Sequence, residues 1–231
     1  MSFAAKTDLV GLARTGLSLR SNGQNGSNSV LQIPGADGSI LGDEVYGHIK
    51  NPNCEYAITG TLTLSGIKLG KVYSSDAPYA LQHIHVSTSA GGEPTVTADA
   101  VQIEAGATQA VCTYDVDSLS LSPARHALTF GAFTYTESTA LSLQSSEFDA
   151  VVNLDPTTIN GDPVASDATA GVETVSVTMW ASTETTAPTV TIASGWHQTA
   201  DWTCTGADSS MFVWSATFTK YLTATQAQAN S

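Results

Sequence analysis

The sequence predicts an all-β protein, an antiparallel β-sandwich or barrel with an extended N-terminal arm and one short helix. Three observations carry this. From residue 54 onward, β-branched and aromatic residues recur at period two between Gly, Pro, Asp and Asn, the pattern of half-buried strands. Thr and Ser number 31 and 26 in 231 residues, and a branched side chain ending in a hydroxyl suits the outward face of a pleat. Charged residues make up only 13%, which argues against a coiled coil, while 42% hydrophobic residues argue against a disordered chain.

Residues 1–45 form the arm. Seven glycines punctuate it, and Ser21-Asn22-Gly23-Gln24-Asn25-Gly26-Ser27-Asn28-Ser29 is a polar, turn-rich tract between short apolar runs at Leu9–Leu12 and Ser29–Ile33. Such a segment buries too little to order itself without a partner. Residues 46–135 form a first β unit. Within it Leu62 and Leu64 alternate with Thr61 and Thr63, and His83–Ser87, Thr95–Ala98 and Ala110–Tyr114 follow the same rule. Pro123-Ala124-Arg125-His126-Ala127-Leu128-Thr129-Phe130, with Ser122 as N-cap and Gly131 as stop, is the helix candidate. Residues 136–231 form a second β unit, with strands at Thr174–Trp180, Thr189–Ile192 and Phe212–Phe218. Glu93-Pro94-Thr95-Val96-Thr97-Ala98 returns as Ala187-Pro188-Thr189-Val190-Thr191-Ile192, which makes two similar units a candidate reading; Thr-rich strands also produce such matches without duplication.

Charge excludes several functions. The formal net charge is −13, and residues 72–219 hold one basic side chain, Arg125, against 16 carboxylates. Specific nucleic-acid binding needs clustered Lys and Arg, so it is not expected. No apolar run reaches the 18 residues of a membrane span, and residues 1–8 lack the basic and apolar regions of a signal peptide, so synthesis in the cytoplasm is expected without membrane insertion. Cys54, Cys112 and Cys204 share no C-x-x-C spacing and read as buried thiols.

Catalytic chemistry finds little footing. G-x-S-x-G, H-E-x-x-H and phosphate-loop motifs are absent, and few cations are present to stabilise developing negative charge, so no enzyme and no cofactor are expected. His83 and His85 share a strand face at the i,i+2 spacing of metal ligands, but no third ligand lies nearby in sequence, so they read as an exposed or interfacial pair. Asp149, Asp155, Asp162 and Asp167 dot a loop-rich connection through Asn160-Gly161-Asp162-Pro163. They lack the calcium-loop pattern and read as a solvated acidic face. Trp180 and Trp214 lie in strand patterns that favour burial. Trp196 and Trp202 flank turns and are the candidate aromatics for stacking on a sugar.

The order Phe148-Asp149-Ala150-Val151-Val152-Asn153, then Asn160-Gly161-Asp162-Pro163-Val164-Ala165-Ser166-Asp167, then Gly171–Thr178 resembles segments of tailed-bacteriophage tail tube and related virion proteins. The resemblance implies a β-sandwich or barrel protomer of the virion. Such a protomer assembles as a homo-oligomer into rings that stack as a tube alongside other virion proteins, with an arm or long loop reaching an adjacent ring. It carries no catalytic residues. The acidic chain would then offer a negative surface or lumen, with Asp149, Asp155, Asp162 and Asp167 as candidates, along which DNA slides without sticking. The rival reading is an extracellular or virion-surface β-module that binds glycan or a host receptor through Trp196 and Trp202.

Overall fold

A computed structural model describes residues 8–37, 39–75, 78–89, 92–122, 127–130, 133–135, 141–159, 162–182, 187–206 and 212–226. Among them every regular element is a strand. The strands are β1 (Leu17–Pro34), β2 (Ile40–Ile58), β3 (Leu62–Leu64), β4 (Lys68–Lys71), β5 (Tyr79–Ser89), β6 (Thr95–Gln102), β7 (Gln109–Asp115) and β8 (Leu119–Ser122). They continue with β9 (Ala127–Phe130), β10 (Phe133–Tyr135), β11 (Leu141–Ile159), β12 (Asp162–Ala181), β13 (Val190–Ile192), β14 (His197–Thr205), β15 (Phe212–Tyr221) and β16 (Ala224–Gln226).

An eight-stranded sheet runs β1-β2-β6-β5-β11-β12-β15-β14, and two small sheets, β13-β10-β9-β8-β3 and β16-β7-β4, accompany it. Among the described residues all ladders are antiparallel, and none of the sheets closes on itself. Alternation explains the layers. On the large sheet Ile84, Val86, Val96, Ala98, Phe148, Ala150, Val175, Val177 and Phe218 point inward. There they join Leu62 and Leu64 of β3, Leu69 of β4, Tyr114 of β7 and Leu119 of β8 in one core. The residues between them, mainly Thr, Ser, His and Asp, form the outer face of the sheet. Leu62 and Leu64 alternate with exposed Thr61 and Thr63 as the sequence indicates.

The N-terminal segment before β1 is tied to this core. Val10 and Leu12 are buried, and the Asp8 carboxylate accepts from the backbone N–H groups of Val10, Gly11 and Ala13 and from the Tyr56 hydroxyl at 2.6–3.2 Å. Gly11 has φ +77°, and a Cβ there would meet the Tyr73 carbonyl oxygen at 2.3 Å, so this close approach requires glycine. Leu9–Leu12 is therefore a core-packed segment rather than a strand, and the polar tract at 21–29 lies within β1.

One line of paired residues crosses the large sheet: Asn53, Asp99, His83, Val151, Val172 and Tyr221. On one side of it β5 and β6 end at Tyr79 and Gln102, whereas two hairpins continue. Residues 40–52 of β2 have ladder partners only in β1, and residues 153–159 of β11 only in β12. At about 3.3 Å per residue the hairpins extend roughly 40 Å and 20 Å past the line, from the same side of the sheet.

Two sequence expectations are corrected. Ala127–Phe130 is a strand paired with Leu119–Ser122 instead of the end of a helix; residues 123–126 lie outside the described residues. An eight-residue helix has too few hydrogen bonds to hold itself, whereas the ladder with β8 pairs all four residues of Ala127–Phe130. The Asp-rich connection is likewise not loop: Asp149 and Asp155 lie on β11, and Asp162 and Asp167 on β12. The two Pro-Thr-Val-Thr segments take different places, in β6 inside the large sheet and in β13 at the edge of a small one.

Candidate functional site

The outer face carries a chain of hydrogen bonds across β6, β5 and β11. His83 sits between two carboxylates, with Nδ1 donating to Asp99 Oδ2 at 2.9 Å and Nε2 to Asp149 Oδ1 at 3.0 Å. His85 Nδ1 donates to the same Asp149 oxygen at 2.9 Å. Register produces the arrangement, since Asp149 pairs with His85 and Asp99 with His83 across adjacent ladders. A carboxylate only accepts, so both ring nitrogens of His83 carry protons and the ring is an imidazolium. The hydrogen bonds to Asp149 and then Asp99 push its pKa up to about 9, against the opposing effect of burial. Asp149 likewise holds the His85 pKa above its ordinary value. Burial by itself would raise Asp149, but the bonds from His83 and His85 outweigh it and hold the carboxyl well below the usual range.

A second polar cluster lies inside. Glu173 on β12 is fully buried, and its Oε1 accepts from the Asp117 backbone N–H at 2.6 Å. Its Oε2 has no hydrogen-bond partner among the described residues and stands 3.9 Å from Lys220 Nζ. Lys220 instead donates to Asp117 Oδ1 at 2.6 Å, and the Trp196 indole N–H donates to Asp117 Oδ2 at 3.1 Å. One ammonium thus serves two carboxylates. Burial, with the nearby Asp117 charge, pushes the Glu173 pKa up to about 7 despite the Asp117 N–H and Lys220. The cluster opens into none of the surface depressions described for the molecule.

The candidate acidic residues do not form one face with one property. Asp149 belongs to the histidine chain, where its charge is offset. Asp155 and Asp167 are exposed and lie directly opposite one another on the shorter hairpin. Asp162 opens β12, and its side chain lies outside the described residues. The tryptophans follow the sequence reading only in part. Trp196 is only 6% exposed, bonded to Asp117, and leaves no ring face for a sugar. Trp202 is half-buried with its ring edge-on to Phe218. Trp214 is buried as expected, but Trp180 is 44% exposed, because it shares parity with the outward Thr178 and Ser176 while Met179 fills the core position.

Cys54 is buried and Cys112 and Cys204 are half-buried, all three as free thiols. Among the described residues no group of three or more His, Cys, Asp or Glu side chains is placed to hold a metal ion. Comparison of the sequence with protein-family models and with curated proteins finds no match.

Sequence reasoning found His83 and His85 on one face but missed their partners, because Asp99 and Asp149 lie 16 and 66 residues from His83 and only the ladder brings them near. Glu173 was missed as well. The one available signal was a Glu at an inward position of an otherwise apolar alternation, Glu173-Thr174-Val175-Ser176-Val177.

Proposed function

We propose that this chain is a non-enzymatic structural protein of a phage virion that self-assembles into the rings of a tail tube. The observation that carries the reading is the pair of long hairpins leaving one side of the large sheet. Over residues 40–52 the longer hairpin has no ladder partner outside itself, and a two-stranded ribbon is marginal on its own, so about 40 Å of it calls for something to pair with it or cover it. A neighbouring protomer is the natural cover in a homo-oligomer, since unpaired strand edges accept other strands and rings close through heterologous contacts. Two further features support it. The Thr- and Ser-rich outer face, including Thr174, Ser176, Thr178, Ser215, Thr217 and Thr219, is a polar surface suited to contacts that form and seal late. The net charge of −13 disfavours adhesion to DNA travelling past the protein.

In this reading the exposed carboxylates Asp155 and Asp167, and not Asp149, supply negative charge to a lumen. The protein is made in the host cytoplasm and functions in the virion beside other virion proteins. The test is native mass together with negative-stain electron microscopy over a range of concentrations. Rings or tubes of uniform diameter are expected. A 23.9 kDa monomer at every concentration would overturn the reading.

A further inference from the structure

We propose that a depression on the outer face, at the foot of the longer hairpin, is a binding site for a neutral saccharide. Its volume is about 310 Å³, and its polar lining is Asn25, Asn51, Asn53, Gln82, His83 and Asp99. A second depression of about 280 Å³ shares Asn53 and Asp99 and continues along β2 past Ser21, Glu55 and Thr97. Together they make a groove with room for a sugar unit and its neighbour, at the small end of ligand clefts.

Three features show that the groove is built by the fold. Asn25 and Asn51 are direct ladder partners, and Asn53 follows at i,i+2, so three carboxamides share one face. Gly23 lies opposite Asn53, and a Cβ there would stand 2.6 Å from Asn53 Oδ1; glycine keeps the space above this side chain open. The β5–β6 ladder shifts register between Leu81 and His83, and this bulge turns Gln82 outward beside His83 where strict alternation would send it inward.

Chemistry selects the ligand. None of the four carboxamides makes a side-chain hydrogen bond within the described residues. Each presents two donors and an acceptor to the groove. Paired donors and acceptors of this kind match vicinal hydroxyls, each of which both gives and takes a hydrogen bond. His83 is saturated by Asp99 and Asp149, so it fixes the Asp99 carboxylate as an acceptor and leaves no free imidazole to attract an anion. At the far end Glu55 is ion-paired with Arg20 at 3.4 Å, and Arg20 also pairs with Glu93, so the one guanidinium there is already held by two carboxylates and offers little to an acidic sugar. Val151, 38% exposed at the rim, supplies an apolar surface for the C–H face of a ring. The site uses neither Trp196 nor Trp202.

The test is a titration of ¹⁵N-labelled full-length protein, read on the side-chain amide signals of Asn and Gln. The probes are maltotriose, cellotriose, chitotriose and lactose as neutral sugars, and sialyllactose and galacturonate oligomers as anionic ones. At least one neutral probe should shift the Asn25, Asn51, Asn53 and Gln82 signals, with affinity near about 1 mM. Asn53→Ala and Gln82→Ala should each weaken it about tenfold, with unchanged thermal melts. The anionic probes should leave the signals in place. Three results would overturn the site: no shift with any neutral sugar, shifts that map to Trp180 or Trp202, or equal binding of acidic sugars. If either variant fails to fold, the shift map of the wild-type protein decides alone.

Discussion

His83 Nε2 lies 3.0 Å from Asp149 Oδ1, across the ladder that joins β5 to β11. Residues 66 apart in the chain are thereby fixed in one hydrogen-bonded line that also holds Asp99 and His85. The line spans three central strands, β6, β5 and β11, on the outer face of the sheet.

Alkaline pH should loosen it. The folded protein holds a proton on His83 up to about pH 9, whereas an unfolded chain releases it near the ordinary value of 6.5. The stabilisation is therefore full below pH 6.5 and is lost as pH rises through 9. Asp149 acts in the opposite sense: its contribution is present above the ordinary value of 3.8 and is lost as pH falls. His83→Gln should cost about 1 kcal/mol at pH 6 and almost nothing at pH 10. Thermal melts of both proteins across this range check it; a cost independent of pH would show that packing, and not charge, is what His83 supplies.

Glu173 should tilt stability in a lower window. Its folded pKa of about 7 exceeds the ordinary 4.5, so the folded state binds the proton more tightly, and stability falls as pH rises from 4.5 to 7. A shift of this size corresponds to about 3 kcal/mol at most. Glu173→Gln keeps the acceptor for the Asp117 N–H and removes the charge, so the variant should gain on the wild type between pH 5 and pH 8. Urea midpoints at the two pH values measure this. An equal difference at both would mean that Lys220 neutralises Glu173 fully.

Ala170 should be improved by glycine. It has φ +57°, the left-handed region, in the β12 bulge between Thr169 and Val172. Ala170→Gly should therefore raise stability by about 0.5–1 kcal/mol. A lower urea midpoint would show that the lost methyl matters more than the relieved backbone.

Asp155 and Asp167 face one another as like charges, an arrangement that costs stability in a ladder. Asp155→Lys should stabilise the isolated protein by up to about 1 kcal/mol. If these residues line a lumen, the same substitution should slow genome passage in assembled particles. Faster melting of the variant would contradict the ladder argument, and unchanged passage would remove these residues from the lumen.

Local chemistry made the core strands readable. In β5, β6 and β15 the inward Ile84, Val86, Val96, Ala98, Ala216 and Phe218 alternate with polar residues, and period two needs no knowledge of the partner strand. The hairpins were not readable in the same way. Residues 21–29 and 162–167 are rich in Asn, Gly, Ser, Asp and Pro, which favour turns, and only ladder pairing with β2 or with β11 makes them strand. Trp196 shows the same limit. Its place beside a turn suggested exposure, but a partner 79 residues away, Asp117, holds its indole in the interior.

The central claim is that the two hairpins are subunit interfaces, and hydrogen exchange of the intact protein at low and high concentration tests it most directly. Amides of 26–34, 40–50, 155–159 and 162–167 should exchange quickly in the dilute protein and become protected on assembly, while β5, β6 and β15 stay protected throughout. Assembly that leaves the hairpin amides in fast exchange would contradict the claim.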